Sequence, residues 1–334
     1  MKGDLYLEAG IGTKKYFIGD VVSLDPIVYV FNRRKLFIFD SNVALDYTKN
    51  RVSEFVDFVK NTAAQYMITA TMESFIPSMI ELVISNTDVD AQAECLEIIR
   101  CLQADGIQGR YDIVGCVIAD IISNKEKYVI SRNDLANLWT VVRAVHKEVE
   151  FDSSVNKKDR FYCKVSKLGD CLIGNDCFVP LFGVIVAAIF YYLYENPNIY
   201  NDSNVQKKIH NSLSGFQRNK NQIPSVAEKD AACNFAMDIS MYYMMSRILK
   251  QNIAPVFVSG DYIFKVLLQE IGYALDDKNN EYGVVINPDG NVYSIINPLI
   301  SSFGARIVNE STITQIDQRR ENLKDLAESY LMKL

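Results

Sequence analysis

The chain has 334 residues, 49% of them hydrophobic and 23% charged, enough to bury a sizeable core and to form two domains or one domain with a large insertion. A net charge of -6 excludes nucleic-acid binding through overall charge and leaves that role to local basic clusters. Seven cysteines, odd in number and without CxxC spacing, stand beside only two histidines, His146 and His210, which excludes a disulfide framework and a zinc site and predicts reduced thiols in a cytoplasmic protein.

The opening "MKGDLYLEAG" carries acids and no apolar core, which predicts no signal peptide. The alternation in "YFIGDVVSLDPIVYVF" predicts a strand or hairpin ahead of the apolar run Leu36 to Phe39, which ends at Asp40. A helix near residues 51–64, a strand over 66–70 and a helix over about 72–85 follow. This β, α, β, α order favours a central, mostly parallel sheet with helices on both faces.

Residues 86–224 change to helix-like segments and polar loops and are expected to form a mainly helical insertion between two parts of a core, residues 1–85 and 225–334. Within it, the uncharged run from Cys177 to Tyr194 just reaches membrane-span length. Pro180, Gly183 and the lack of close basic flanks favour a buried helix, and no membrane partner is expected. Ser225 with Glu228 predicts a capping box opening a long helix. "PVFVSGD" reads as a strand, "YIFKVLLQEIG" as a helix ending at Gly272, and "EYGVVINPDGNVYSII" as a hairpin turning at Asn-Pro-Asp-Gly. A charged helix over about 312–332 closes the chain.

Two apolar strands end in aspartate, Asp40 after "LFIF" and Asp261 after "VFVSG". In an open parallel sheet, ligands bind beyond the carboxyl ends of the strands, so neighbouring strands would bring both carboxylates to one edge. Each alone also reads as a helix N-cap. Glu73 follows the next predicted strand, and Asp238 lies among apolar residues of the long helix, where an acid must be paired or bind a cation. Asp230, two turns earlier, reads as an outer acid or a solvated first-turn residue. Four carboxylates converging on one edge suit a hard cation, magnesium or manganese, and metal-dependent phosphodiester hydrolysis.

"FIFDSNVALD", "MITATMESF", "AMDISMYYMMSRI" and "VFVSGDYIFKVLL" resemble, in this order, the strand-end and helix motifs of PIN-domain ribonucleases. The resemblance covers residues 33–85 and 225–275, and a long stretch, residues 74–237, separates the second acid from the third. It implies a PIN-like three-layer α/β core and a nuclease acting on RNA in preference to DNA. It also implies Asp40, Glu73, Asp238 and Asp261 as catalytic metal ligands, supported by Asn42 and Ser259. A haloacid-dehalogenase-like phosphatase would want an acid at position 42, which is Asn, and an inactive PIN-like interaction module is the non-enzymatic alternative. Nucleic-acid contacts are expected from Arg33, Arg34, Lys35, Lys207, Lys208, Arg218 and Lys220, and a protein partner or inhibitor from the insertion.

Overall fold

The computed structural model describes residues 6–11, 14–23, 34–48, 53–214, 223–244, 249, 253–276, 281–307 and 313–333. The chain forms two compact units, Met1–Val129 with Met241–Asn287, and Ile130–Ser240 with Pro288–Leu334. The stretch expected as a single insertion, 86–224, is thus divided between them, and the C-terminal helices expected in the core's second part belong to the second unit.

The first unit holds a five-stranded sheet. Its strands are β1 (Tyr6–Ile11), β2 (Lys14–Asp20), β4 (Lys35–Phe39), β5 (Ile68–Thr69) and β6 (Ala254–Ser259), in the order β1-β2-β6-β4-β5. β4 pairs parallel with β5 and β6, whereas β2 runs antiparallel to both β1 and β6. The sheet is therefore mixed and not mostly parallel as expected: the two-residue connection between β1 and β2 admits only a hairpin. β3 (Val22–Ser23), β7 (Ile271–Asp276) and β8 (Glu281–Ile286) form a second, three-stranded sheet.

β4 is apolar on both faces because both faces are covered. Phe37 and Phe39, with Tyr16, Ile18, Val256 and Val258, face the helices α1 (Ser41–Thr48), α2 (Ser53–Tyr66) and α3 (Ile76–Ser85). The same core takes up Ala91, Cys95, Ile98 and Cys101 of α4 (Asp88–Ala104) and Ile118 of α5 (Val114–Ser123), which is why these helices belong to this unit. On the opposite face Phe257 packs 4.6 Å from Phe264 of α11 (Tyr262–Glu270) and 6.0 Å from Tyr242.

The expected hairpin over 281–296 is instead the pair β7–β8, in register from Ile271↔Ile286 to Asp276↔Glu281. The ladder bonds of β8 are satisfied by β7, and Asn287 is drawn back to α11, its N–H donating to Glu270 O at 2.9 Å and its side-chain amide to Gln269 O at 2.8 Å. The Pro-Asp-Gly turn then leads into α12 (Tyr293–Ile307), not into a strand.

The second unit is helical among its described residues. It comprises most of α6 (Lys125–Phe151) and α10 (Pro224–Tyr243), with α7 (Arg160–Gly174), α8 (Leu181–Glu195), α9 (Ser203–Ser214), α12 and α13 (Ile313–Leu331). α8, the apolar run of the sequence, is buried along most of its length, and among the described residues no helix is long and apolar enough to cross a membrane. Gly183 lets α8 approach α6 closely: a Cβ there would lie 2.5 Å from Leu138 Cδ2. Trp139 stacks on Phe235 at 3.8 Å and donates to Ser212 O at 3.0 Å. Lys164, fully buried, is held by Glu150 at 2.6 Å and by Glu195.

Candidate active site

Asp40 and Asp261 stand at the carboxyl ends of β4 and β6, which are adjacent and parallel, with Phe39 opposite Val258. The Asp40 N–H donates to Val258 O at 3.1 Å, so the ladder runs up to the aspartate itself. Asp40 is only 2% exposed. Its Oδ1 accepts the Val43 N–H at 2.8 Å, capping α1, and its Oδ2 accepts a hydrogen bond from Ser259 Oγ. Ser259, wholly buried, accepts in turn the Asp261 N–H at 3.0 Å. Asp261 Oδ1 caps α11 through the Ile263 N–H at 2.9 Å. One serine hydroxyl therefore ties the two strand ends together.

Glu73 lies in a 3-10 turn, Met72–Phe75, that follows β5 on the same side of the sheet. Its charge acts on Tyr111, whose hydroxyl burial and this carboxylate push upward, and on Arg110, which is bonded to Asp112 at 3.0 Å. Asp238, in the second unit, is ion-paired with Lys208 at 3.1 Å, which answers the requirement that an acid among apolar neighbours have a partner. Asp230 and Asn42 are exposed.

The basic residues are distributed differently from expectation. Arg34 and Lys35 precede and begin β4, so they lie at the end opposite Asp40, roughly 16 Å away at the rise of an extended strand. Lys35 is paired there with Asp20 at 3.1 Å. Lys207 is exposed on α9, Lys208 holds Asp238, and Arg33, Arg218 and Lys220 lie outside the described residues.

The antiparallel strand β2 brings a different set to the carboxylate edge, since Phe17 pairs with Ser259 and the strand's first residues reach past it. Lys14 is ion-paired with Asp46 of α1, and the Tyr16 O–H donates to the same carboxylate at 2.8 Å. Burial, the bond to Asp46 and the charges of Asp46 and Asp40 push the Tyr16 hydroxyl far above its ordinary range, so it remains a donor. On the other face Lys15 and Lys265 both pair with Glu8, the latter at 2.7 Å. Burial raises the Glu8 carboxyl, but these two cations outweigh it and hold it below the ordinary value. Sequence reasoning passed over Lys14, Tyr16 and Asp46. "KKYFIGD" reads as any alternating strand, and only its antiparallel pairing puts its first residues at this edge.

Among the described residues no group of three or more His, Cys, Asp or Glu side chains is placed to hold a metal ion. Asp40 and Asp261 nevertheless fit magnesium or manganese in donor type and number. Both offer hard oxygen atoms at one edge, and magnesium is commonly held by one or two carboxylates, with water and substrate phosphate completing its shell. Compared with family models, with curated proteins and with solved structures, the chain matches none.

Proposed function

We propose that the chain is a magnesium- or manganese-dependent nuclease acting on RNA, with its centre at Asp40 and Asp261. The observation that carries this reading is the Ser259 hydroxyl, which donates to the Asp40 carboxylate and accepts the backbone N–H of Asp261, tying together the ends of adjacent parallel strands that bear the two aspartates. When bound, the cation would lower the pKa of a water and offset charge on the phosphate. The chain's own part is to fix the carboxylates: Ser259 and the Val43 N–H orient Asp40, and the Ile263 N–H orients Asp261. In this reading Ser259 is a positioning residue.

Asparagine keeps an oxygen for each cap but loses the charge. Asp40→Asn and Asp261→Asn are therefore expected to abolish magnesium-dependent cleavage of single-stranded RNA while changing stability by no more than about 1 kcal/mol. Cleavage that survives in both variants would overturn the assignment. A second reading, a PIN-like interaction module without activity, is favoured by the double use of both aspartates as helix caps. It predicts no cleavage by the parent protein.

A further inference from the structure

Lys14 and Lys15 begin β2, which lies outside the two stretches that carry the family resemblance, yet they flank the carboxylate edge closely. Gly260, between Ser259 and Asp261, would bring a Cβ to 3.8 Å from Lys15 O and 3.9 Å from the Tyr16 ring. Successive side chains of a strand point to opposite faces. Lys14 and Tyr16 accordingly meet Asp46 on the face of α1, while Lys15 and Phe17 meet Glu8 and Lys265 on the face of α11. The two ammonium groups thus bracket the edge from its two faces, with side chains 53% and 40% exposed. Tyr262, next to Asp261 and partly exposed, sets its ring edge-on to Phe17 at 4.9 Å.

We propose that Lys14 and Lys15 are the phosphate contacts of this site and that the ligand they take is a single nucleic-acid strand crossing the sheet edge, with Tyr262 offering a ring to an unpaired base. The assignment rests on the nuclease reading for the position of the scissile bond but not for the contacts themselves. The Lys15–Glu8 pair is partly exposed and Glu8 keeps Lys265 as a partner, so exchange of a carboxylate for a phosphate at Lys15 costs little, whereas Asp46 is buried and needs a second partner when Lys14 turns away. Asp46 is equipped for that exchange, because the Tyr16 hydroxyl still donates to it when Lys14 turns away. Tyr16 and Asp46 are positioning residues for Lys14. An extended single strand can follow an edge with a cation on each side, and a ring beside it suits unstacked bases.

The test is salt-dependent binding of a short fluorescent single-stranded RNA to the Asp40→Asn protein, which is expected to bind without cutting. Each phosphate contact contributes about 0.7 to the slope of log affinity against log salt for a single strand. Lys14→Gln and Lys15→Gln should each lower that slope by about 0.7 and weaken binding severalfold, and the double variant should lower it about twice as much. Lys324→Gln, an exposed lysine of α13 paired with Glu321, should leave it unchanged. A slope unaltered in the folded double variant overturns the proposal, as does absence of RNA binding. Equal competition by polyglutamate would identify an acidic polypeptide as the ligand and also overturn it. Lysine-dependent binding in a parent that does not cleave RNA would remove the nuclease reading and leave this inference standing.

Discussion

Asp40 serves a strand and a helix at once: its N–H completes the ladder with Val258, and its carboxylate caps α1. A residue with that double duty is legible in sequence as an acid cutting off an apolar run, and so was Asp261. The resemblance implied Ser259 only as a supporting group, and its bond to Asp40 was not legible, because a hydroxyl's partner is fixed by the register of two distant segments. Two other residues carry sharper consequences for stability. Met67, at the end of α2, has φ +54 and is 88% exposed, so a left-handed conformation is forced on a side chain that buries little. Met67→Gly relieves that strain at some entropic cost in the unfolded chain. It should raise stability by about 0.5–1 kcal/mol in denaturant unfolding followed by circular dichroism, and a loss of stability would show that the side chain contributes packing.

His146 is 1% exposed, close to Tyr191 and Tyr194, with Ser214 Oγ 3.3 Å from its Nε2. Burial, then the charge of Lys164, push its pKa from 6.5 down to about 3 against an opposing effect of Glu150, with smaller downward effects of His210 and Arg143. Below pH 6.5 the unfolded imidazole takes up a proton that the folded one refuses, so the unfolded state binds more protons and stability falls as pH falls. The expected loss is up to about 1.4 kcal/mol for each pH unit in that window. The chain's single tryptophan, Trp139, sits in the same unit and reports its unfolding by fluorescence. Urea midpoints at pH 7 and pH 5 should differ in the parent and differ less in His146→Gln. An unchanged difference would place the titrating group elsewhere.

At the scale of elements, α8 shows how composition can mislead and packing can correct it. Its uncharged run reached span length, yet the helix has only fifteen residues, the last of them Glu195, and is buried along most of its length. A Cβ at Gly183 would meet Leu138 and Leu135 of α6, both buried. Gly183→Val is expected to cost about 1–3 kcal/mol by overpacking, measured by the Trp139 transition, and an unaffected midpoint would mean the α6–α8 contact is loose. The strand elements β4 and β6 were readable because strands buried on both faces are continuously apolar. The end of α11 was read close to its place, at Gly272 against Glu270, but β7 was not read, because the strand follows at Ile271 with no intervening loop. The Asn-Pro-Asp-Gly signal was real as a turn but belongs to the entry of α12. Asn287 is spent on anchoring β8 to the end of α11.

At the scale of the molecule, the sequence announced a mixed α/β chain with a long helical stretch but misplaced its boundaries. The composition of α4 and α5 resembles that of the helices after them. Which core receives Cys95, Ile98 and Ile118 is a matter of tertiary packing that periodicity does not encode. The same limit applies to charge. Arg34 and Lys35 were conspicuous in the sequence and lie at the far end of β4, whereas Lys14 and Lys15 were inconspicuous and stand at the carboxylate edge because β2 runs antiparallel to β6.

Manganese titration by calorimetry, on the parent protein and on Asp40→Asn, tests for a cation site at Asp40. Binding in the parent that is lost in the variant, with both proteins folded, is the predicted result. No binding by the parent, or equal binding by both, would contradict a cation site at Asp40 and leave this aspartate as a cap.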